Sequence, residues 1–181
     1  MKKKYFYIDY LNELKGKING IQEQYDVIKE SVEIIKQTDI VFICGNGGSS
    51  STSSHIANDF QKMAKIKTIC LSDNTPLITA YGNDEHYKYI FRRQLELLAK
   101  KEDTLIIISG SGNSENILEA LSYAKKIGMK IICIVGMDGG KVKQLYKDST
   151  LLHINADMQK SEELSLIIGH ILTLELMNDL G

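Results

Sequence analysis

From residue 40 onward, short unbroken runs of Ile, Val and Leu alternate with longer amphipathic segments. The runs occupy 40–44, 67–71, 104–108, 130–135 and 150–154, and the helical patterns 50–64, 85–100, 114–127 and 160–179. A strand without polar alternation is apolar on both faces. Both faces must be covered, which is the condition of a parallel sheet with helical crossovers. The pattern predicts an α/β fold, a three-layer αβα sandwich around a parallel five-stranded sheet. Residues 1–38 read as an N-terminal helical arm and 39–181 as the core of the same single domain. No linker separates them, since the chain has one proline, Pro76, and no low-complexity stretch.

In the arm, Ile8, Leu11, Leu14, Ile18, Ile21, Tyr25, Ile28, Val32 and Ile35 recur every three or four residues. This spacing predicts a helix over 5–38 with one apolar stripe. Gly16 and Gly20 weaken its middle, so a break or bend is expected there. The last helix is apolar over more than one face, through Leu164, Leu166, Ile167, Ile168, Ile171, Leu172, Leu174 and Leu176. Apolar surface of that extent needs a partner, and a homo-oligomer built by helix packing is expected. A monomer in which both helices cover one sheet is the alternative.

Composition narrows the function. The 22 Lys and Arg against 23 Asp and Glu leave a net charge of -1, without the basic footprint of a nucleic-acid partner. Lys2-Lys3-Lys4 reads as a solvated terminus. No run approaches the ~20 apolar residues that span a bilayer, and residues 1–15 lack a signal-peptide core. Cys44, Cys70 and Cys133 each lie in an apolar run, and none forms a C-x-x-C pair. Reduced, buried thiols in a cytoplasmic protein are expected.

Two strand-to-helix loops carry the chemistry. Ser109-Gly110-Ser111-Gly112-Asn113-Ser114 follows one apolar run, and Gly45-Asn46-Gly47-Gly48-Ser49-Ser50 follows another. Unpaired N–H groups and the helix dipole favour an anion at such a helix start. The hydroxyls of Ser109, Ser111 and Ser114 add donors. Without a lysine, the loop is not a nucleotide P-loop. Local capping and turn formation also favour these residue types.

His55 and Asp59 stand four apart on the helix after the first loop, on one face. They suit a divalent metal or proton transfer, and equally a surface salt link. His170 sits among apolar residues in the final helix, as a core histidine or as a ligand. Glu162 lies eight residues earlier, about 12 Å along a regular helix. One ion therefore cannot take both from one such helix. Either the helix begins after Glu162 or the two come from different subunits. Asn83 and Asp84, after Gly82, can cap the following helix or bind substrate hydroxyls from its N-terminus.

Together these segments resemble the sugar isomerase (SIS) domain, and within it the bacterial phosphoheptose isomerase group. The match includes both loops, His55 in Ser-His-Ile-Ala, Gly82-Asn83-Asp84, the segment Gly136 to Lys141, and His170-Ile171-Leu172. It covers the chain from about residue 5. The resemblance implies a flavodoxin-like sheet and an aldose–ketose isomerase converting sedoheptulose 7-phosphate to D-glycero-D-manno-heptose 7-phosphate for surface-glycan heptose. It implies that Ser109, Gly110, Ser111 and Ser114 bind phosphate, and that Asn46, Gly47, Gly48, Asn83, Asp84 and Glu162 contact substrate. It further implies zinc on His55, Asp59, Glu162 and His170, with Asp59 and His170 moving protons, in a homotetramer with active sites between subunits. The chain departs from the family at Asp59, where glutamate is usual, at Glu162, where glutamine is usual, and at Ser165, where a histidine is frequent. Two alternatives stay open: a non-catalytic SIS protein that binds a sugar phosphate or a protein, as replication-initiator-associating proteins do, or an isomerase of another phosphosugar.

Overall fold

The computed structural model describes residues 6–178. Lys2-Lys3-Lys4 and the predicted helix ends at 5 and 179 lie outside the described residues. Five strands, β1 (Val41–Gly45), β2 (Thr68–Cys70), β3 (Thr104–Ser109), β4 (Lys130–Val135) and β5 (Thr150–His153), form one parallel sheet. Its order is β2-β1-β3-β4-β5. Each strand starts within one residue of its apolar run.

Eight α-helices surround the sheet among the described residues: α1 (Phe6–Gln22), α2 (Tyr25–Lys36), α3 (Gly48–Lys62), α4 (Thr75–Tyr81), α5 (Arg92–Leu98), α6 (Glu115–Ile127), α7 (Gly140–Leu145) and α8 (Met158–Asn178). Successive strand residues face opposite sides. Val41, Ile43, Ile106, Ile108, Ile132 and Ile134 pack with residues of α2, α3 and α8. Phe42, Cys44, Leu105, Ile107, Cys133 and Val135 pack with residues of α5, α6 and α7. Two separate apolar layers, one on each face, are what unbroken apolar strands require.

The arm breaks at Glu23 and Gln24, not at Gly16 or Gly20, which both remain inside α1. A side chain decides the position. Gln24 Nε2 donates to the carbonyls of Gly20 and His153, both at 3.0 Å, and its Oε1 accepts from His153 N at 2.9 Å. The amide pairs with the backbone of the edge strand β5 as a neighbouring strand would, and it anchors the turn there.

The predicted helix over 85–100 is also divided. A π-helical turn covers Gly82–His86, a 3-10 turn covers Tyr87–Tyr89, and only α5 follows. His86 is extended (φ -163°, ψ 142°), which interrupts the helical path. Burial begins only at Ile90 and Phe91, so the preceding segment has no apolar face to hold it as a regular helix. Helices α4 and α7 have no counterpart in the sequence reading. Both are short and neither carries a full amphipathic repeat.

Among the described residues no helix is long and apolar enough to cross a membrane. Phe6, Ile8 and Leu11 of α1 are exposed. An apolar groove of about 460 Å³ runs between α1, α2 and α8, lined by Ile18, Ile21, Tyr25, Ile28, Ile167 and Ile171 among others.

The three cysteines are free and buried. Burial disfavours the thiolate and pushes the Cys70 and Cys133 thiols up to about 12, and raises Cys44 as well. At about pH 8 the folded protein is expected to react with a thiol reagent only as fast as it opens. Denaturant should release all three equivalents. Rapid labelling of any one in native buffer would contradict the packing of the sheet.

Candidate active site

The strand order reverses at β1 and β3: β2 lies on one side of β1, and β3 with the later strands on the other. In open α/β sheets the crevice outside the carboxyl ends of strands at such a reversal is the usual ligand site. Gly45 pairs with Ile108 at the ends of β1 and β3, so the two loops leave the sheet side by side.

In the second loop, Ser109 Oγ accepts from Gly112 N at 3.1 Å, and Ser111 Oγ accepts from Asn113 N at 3.2 Å. Each hydroxyl keeps its own hydrogen for a ligand. Ser114 takes the N-cap position of α6 but makes no capping hydrogen bond, so its hydroxyl is not consumed locally. Gly110 faces Met158 at the start of α8. The start of α7 and the glycines before it hold the loop in place. Val142 N donates to Gly112 O at 3.0 Å, and Lys141 N donates to Asn113 Oδ1 at 3.0 Å. Gly112 has φ 63°, and a Cβ there would run into the Gly139 carbonyl.

In the first loop, Gly47 (φ 55°) precedes α3 without a side-chain cap. A Cβ on Gly48 would lie 2.5 Å from Glu162 Oε1, so the Glu162 carboxyl stands over the start of α3. Asn46 makes a reciprocal amide pair with Asn116 of α6, 2.8 Å in each direction. Tyr87 Oη donates to Asn46 Oδ1 at 3.3 Å. Sequence reasoning missed Asn116 and Tyr87. The signal for Asn116 was its position two residues after Ser114, where an asparagine would be read as part of the turn. Tyr87 had none.

Asn83 and Asp84 lie in the π-helical turn, with Asn83 Nδ2 donating to Asp84 Oδ1 at 2.7 Å. Neither caps α5, whose N-cap position is Phe91.

His55 and Asp59 of α3 meet His170 of α8 within one chain. The two histidine Nε2 atoms are 3.0 Å apart, and Asp59 Oδ2 lies 3.3 Å from His55 Nε2 and 3.7 Å from His170 Nε2. Ligand atoms of the three residues all fall within 4.8 Å of one another. When neither Nε2 carries a proton, the two imidazole lone pairs and the Asp59 carboxylate converge on one point. Ligand atoms around a tetrahedral zinc with bonds near 2.0–2.1 Å are roughly 3.3 Å apart, and this donor set fits such an ion. Helix α8 is continuous through Glu162 and His170. The alternative that it begins after Glu162 is thereby removed, and Glu162 is not part of its own chain's cluster.

The chain belongs to the SIS domain family, whose model matches residues 7–136. Among its relatives, the phosphoheptose isomerase of Helicobacter pylori strain P12 is 39% identical over 168 residues, covering 88% of this chain and 85% of that protein. The phosphoheptose isomerase of Clostridium acetobutylicum is 41% identical over the same shares of each chain. A solved phosphoheptose isomerase structure from Francisella tularensis superposes with a TM-score of 0.90 at 25% identity, covering 99% of this chain and 100% of that one.

The cluster depends on a close helix approach. A Cβ on Gly169 would collide with the side-chain end of Ile56, which is buried between α3 and α8. Gly169→Ala is expected to cost about 1–3 kcal/mol through overpacking. That corresponds to a melting temperature lower by roughly 2–10 °C, read by circular dichroism. An unchanged melting curve would show that α3 and α8 do not close through this contact.

Proposed function

We propose that this chain is a phosphoheptose isomerase, interconverting sedoheptulose 7-phosphate and D-glycero-D-manno-heptose 7-phosphate. The observation that carries the reading is the His55–Asp59–His170 cluster, held together by α8 and by α3, the helix that leaves the first loop at the switch point. A non-catalytic sugar-phosphate binder has no need of converging imidazole and carboxylate groups there.

The serine loop binds the phosphate through the hydroxyls of Ser109, Ser111 and Ser114 and the amides at the start of α6. This remote grip fixes the sugar and lowers the entropy cost of aligning its reacting carbons. Asn46, Gly47, Gly48, Asn83, Asp84 and Glu162 line the path of the chain of hydroxyls. Isomerisation moves one proton from C1 to C2 and one from O1 to O2 through a cis-enediol. Asp59 and His170 share these transfers, one serving the carbons and the other the oxygens. Zinc bound by His55, Asp59 and His170, with the partner subunit's Glu162 as a fourth donor, would polarise the carbonyl and stabilise negative charge on oxygen.

The same reading makes the assembly a homotetramer with shared active sites. The exposed apolar face of α1 and the groove beside α8 support it, the occupant being a second copy of this chain. A cytoplasmic location follows from the phosphorylated substrate.

Purified protein is expected to turn over sedoheptulose 7-phosphate and to contain one zinc per chain by elemental analysis. His170→Gln should lower kcat by about 100-fold or more, as loss of a general acid–base group does. Absence of turnover in the parent protein, or full activity in the variant, would overturn the assignment.

A further inference from the structure

Met137 is left-handed (φ 50°), a backbone conformation that a residue with a side chain rarely adopts. It lies in the turn 136–140, against which the serine loop packs at backbone distance. Gly136 N donates to Ser109 O at 3.1 Å. A Cβ on Gly136 would lie 2.7 Å from the Gly110 carbonyl oxygen, and one on Gly140 would run into the Ser111 carbonyl. There is no slack between turn and loop, so a shift of the turn moves the amides and hydroxyls of residues 109–113.

A residue in such a conformation needs neighbours that hold it there. Met137 N donates to Ala156 O at 3.1 Å, and the Met137 carbonyl accepts from His153 Nε2 at 3.0 Å. A carbonyl can only accept, which assigns the ring proton to Nε2. An ammonium can only donate, and Lys143 Nζ donates to His153 Nδ1 at 3.2 Å. The imidazole is therefore neutral and engaged at both nitrogens. His153 ends β5 and Lys143 belongs to α7, so the ring ties the edge of the sheet to both ends of the turn. The His153 backbone is fixed as well, by the two polar atoms of the Gln24 amide.

We propose that His153 is a positioning residue for the phosphate site: by holding the Met137 carbonyl it keeps the turn left-handed, and with it the serine loop in the shape that receives a phosphate. Without that hydrogen bond Met137 relaxes toward the conformations its side chain favours, and the loop moves with it. A glycine at 137 has no such tendency, because positive φ costs it nothing. The need for His153 then disappears. The inference rests on the reading of the serine loop as the phosphate site, although it does not require that the sugar be isomerised.

The test is calorimetric titration with sedoheptulose 7-phosphate and with inorganic phosphate, with turnover followed in parallel. His153→Leu should bind both about three- to tenfold more weakly, the loss of one neutral hydrogen bond, and raise KM by the same factor with little change in kcat. His153→Gln keeps a donor and should stay near the parent. Met137→Gly added to His153→Leu should recover the parent affinity. Met137→Val changes only an exposed position of the turn, where a β-branched side chain resists positive φ, and should weaken both ligands with His153 intact. A role confined to stability would lower the melting temperature and leave affinity and KM unchanged. That result, or a loss in His153→Leu that Met137→Gly does not recover, would overturn the proposal while turnover by the parent upholds the isomerase reading. The expected pattern of affinities without turnover in the parent would instead remove the isomerase reading alone. A parent that binds neither ligand would overturn both.

Discussion

The pairing of β1 with β3 is the constraint on which the site depends. Five residue pairs run in register from Val41–Thr104 to Gly45–Ile108. The backbone hydrogen bonds of that ladder end both strands at the same level, so the two loops open at one edge. A shift by one residue would exchange the two faces and place Ile43 and Ile106 where Cys44 and Ile107 now pack. Both faces are filled by helices, which excludes that slip. Sheet register is thus what brings Asn46 within reach of Asn116, and that amide pair joins the first loop to the start of α6, the helix that follows the second.

The second constraint is the approach of α3 to α8. His55 and Asp59 share a face because they are four residues apart, which any helix provides. Bringing His170 to them requires two helices to pack closely, and Gly169 against Ile56 permits it. The cluster is then carried by tertiary packing, with Leu164, Ile168 and Leu172 of α8 buried on the same side of the sheet as Ile56 and Phe60. Apolar burial positions the polar groups, whose own mutual attraction at an exposed site is worth little.

What was legible in the sequence follows from this division. Strand positions were readable because continuous apolar runs have few other uses in a chain of this composition. The two loops were readable because glycine and serine between a strand and a helix mark a definite backbone path. The break of the arm was misplaced, since Gly16 and Gly20 signal weak helix propensity, while the actual turn is set by Gln24 binding a strand 129 residues away. No local pattern encodes that contact. The same holds for Tyr87, which belongs to a segment that looks helical by spacing and is turned toward Asn46 only by the extended backbone at His86. Residues whose role depends on a distant partner were the ones missed.

Two of the three departures that the resemblance implies, Asp59 and Glu162, can be weighed against this geometry. Asp59 is one methylene shorter than the glutamate that the resemblance implies. Its carboxylate nevertheless lies 3.3 Å and 3.7 Å from the two imidazole nitrogens, so the shorter reach is met by the helix packing rather than by the side chain. At Glu162 a carboxylate stands where an amide is usual, over the start of α3, where the helix dipole favours negative charge. A glutamine there would gain less from that field. If the same carboxyl also serves a partner's metal, as proposed, it adds charge to a site that already has Asp59. Added negative charge holds a cation more firmly and makes it a weaker Lewis acid.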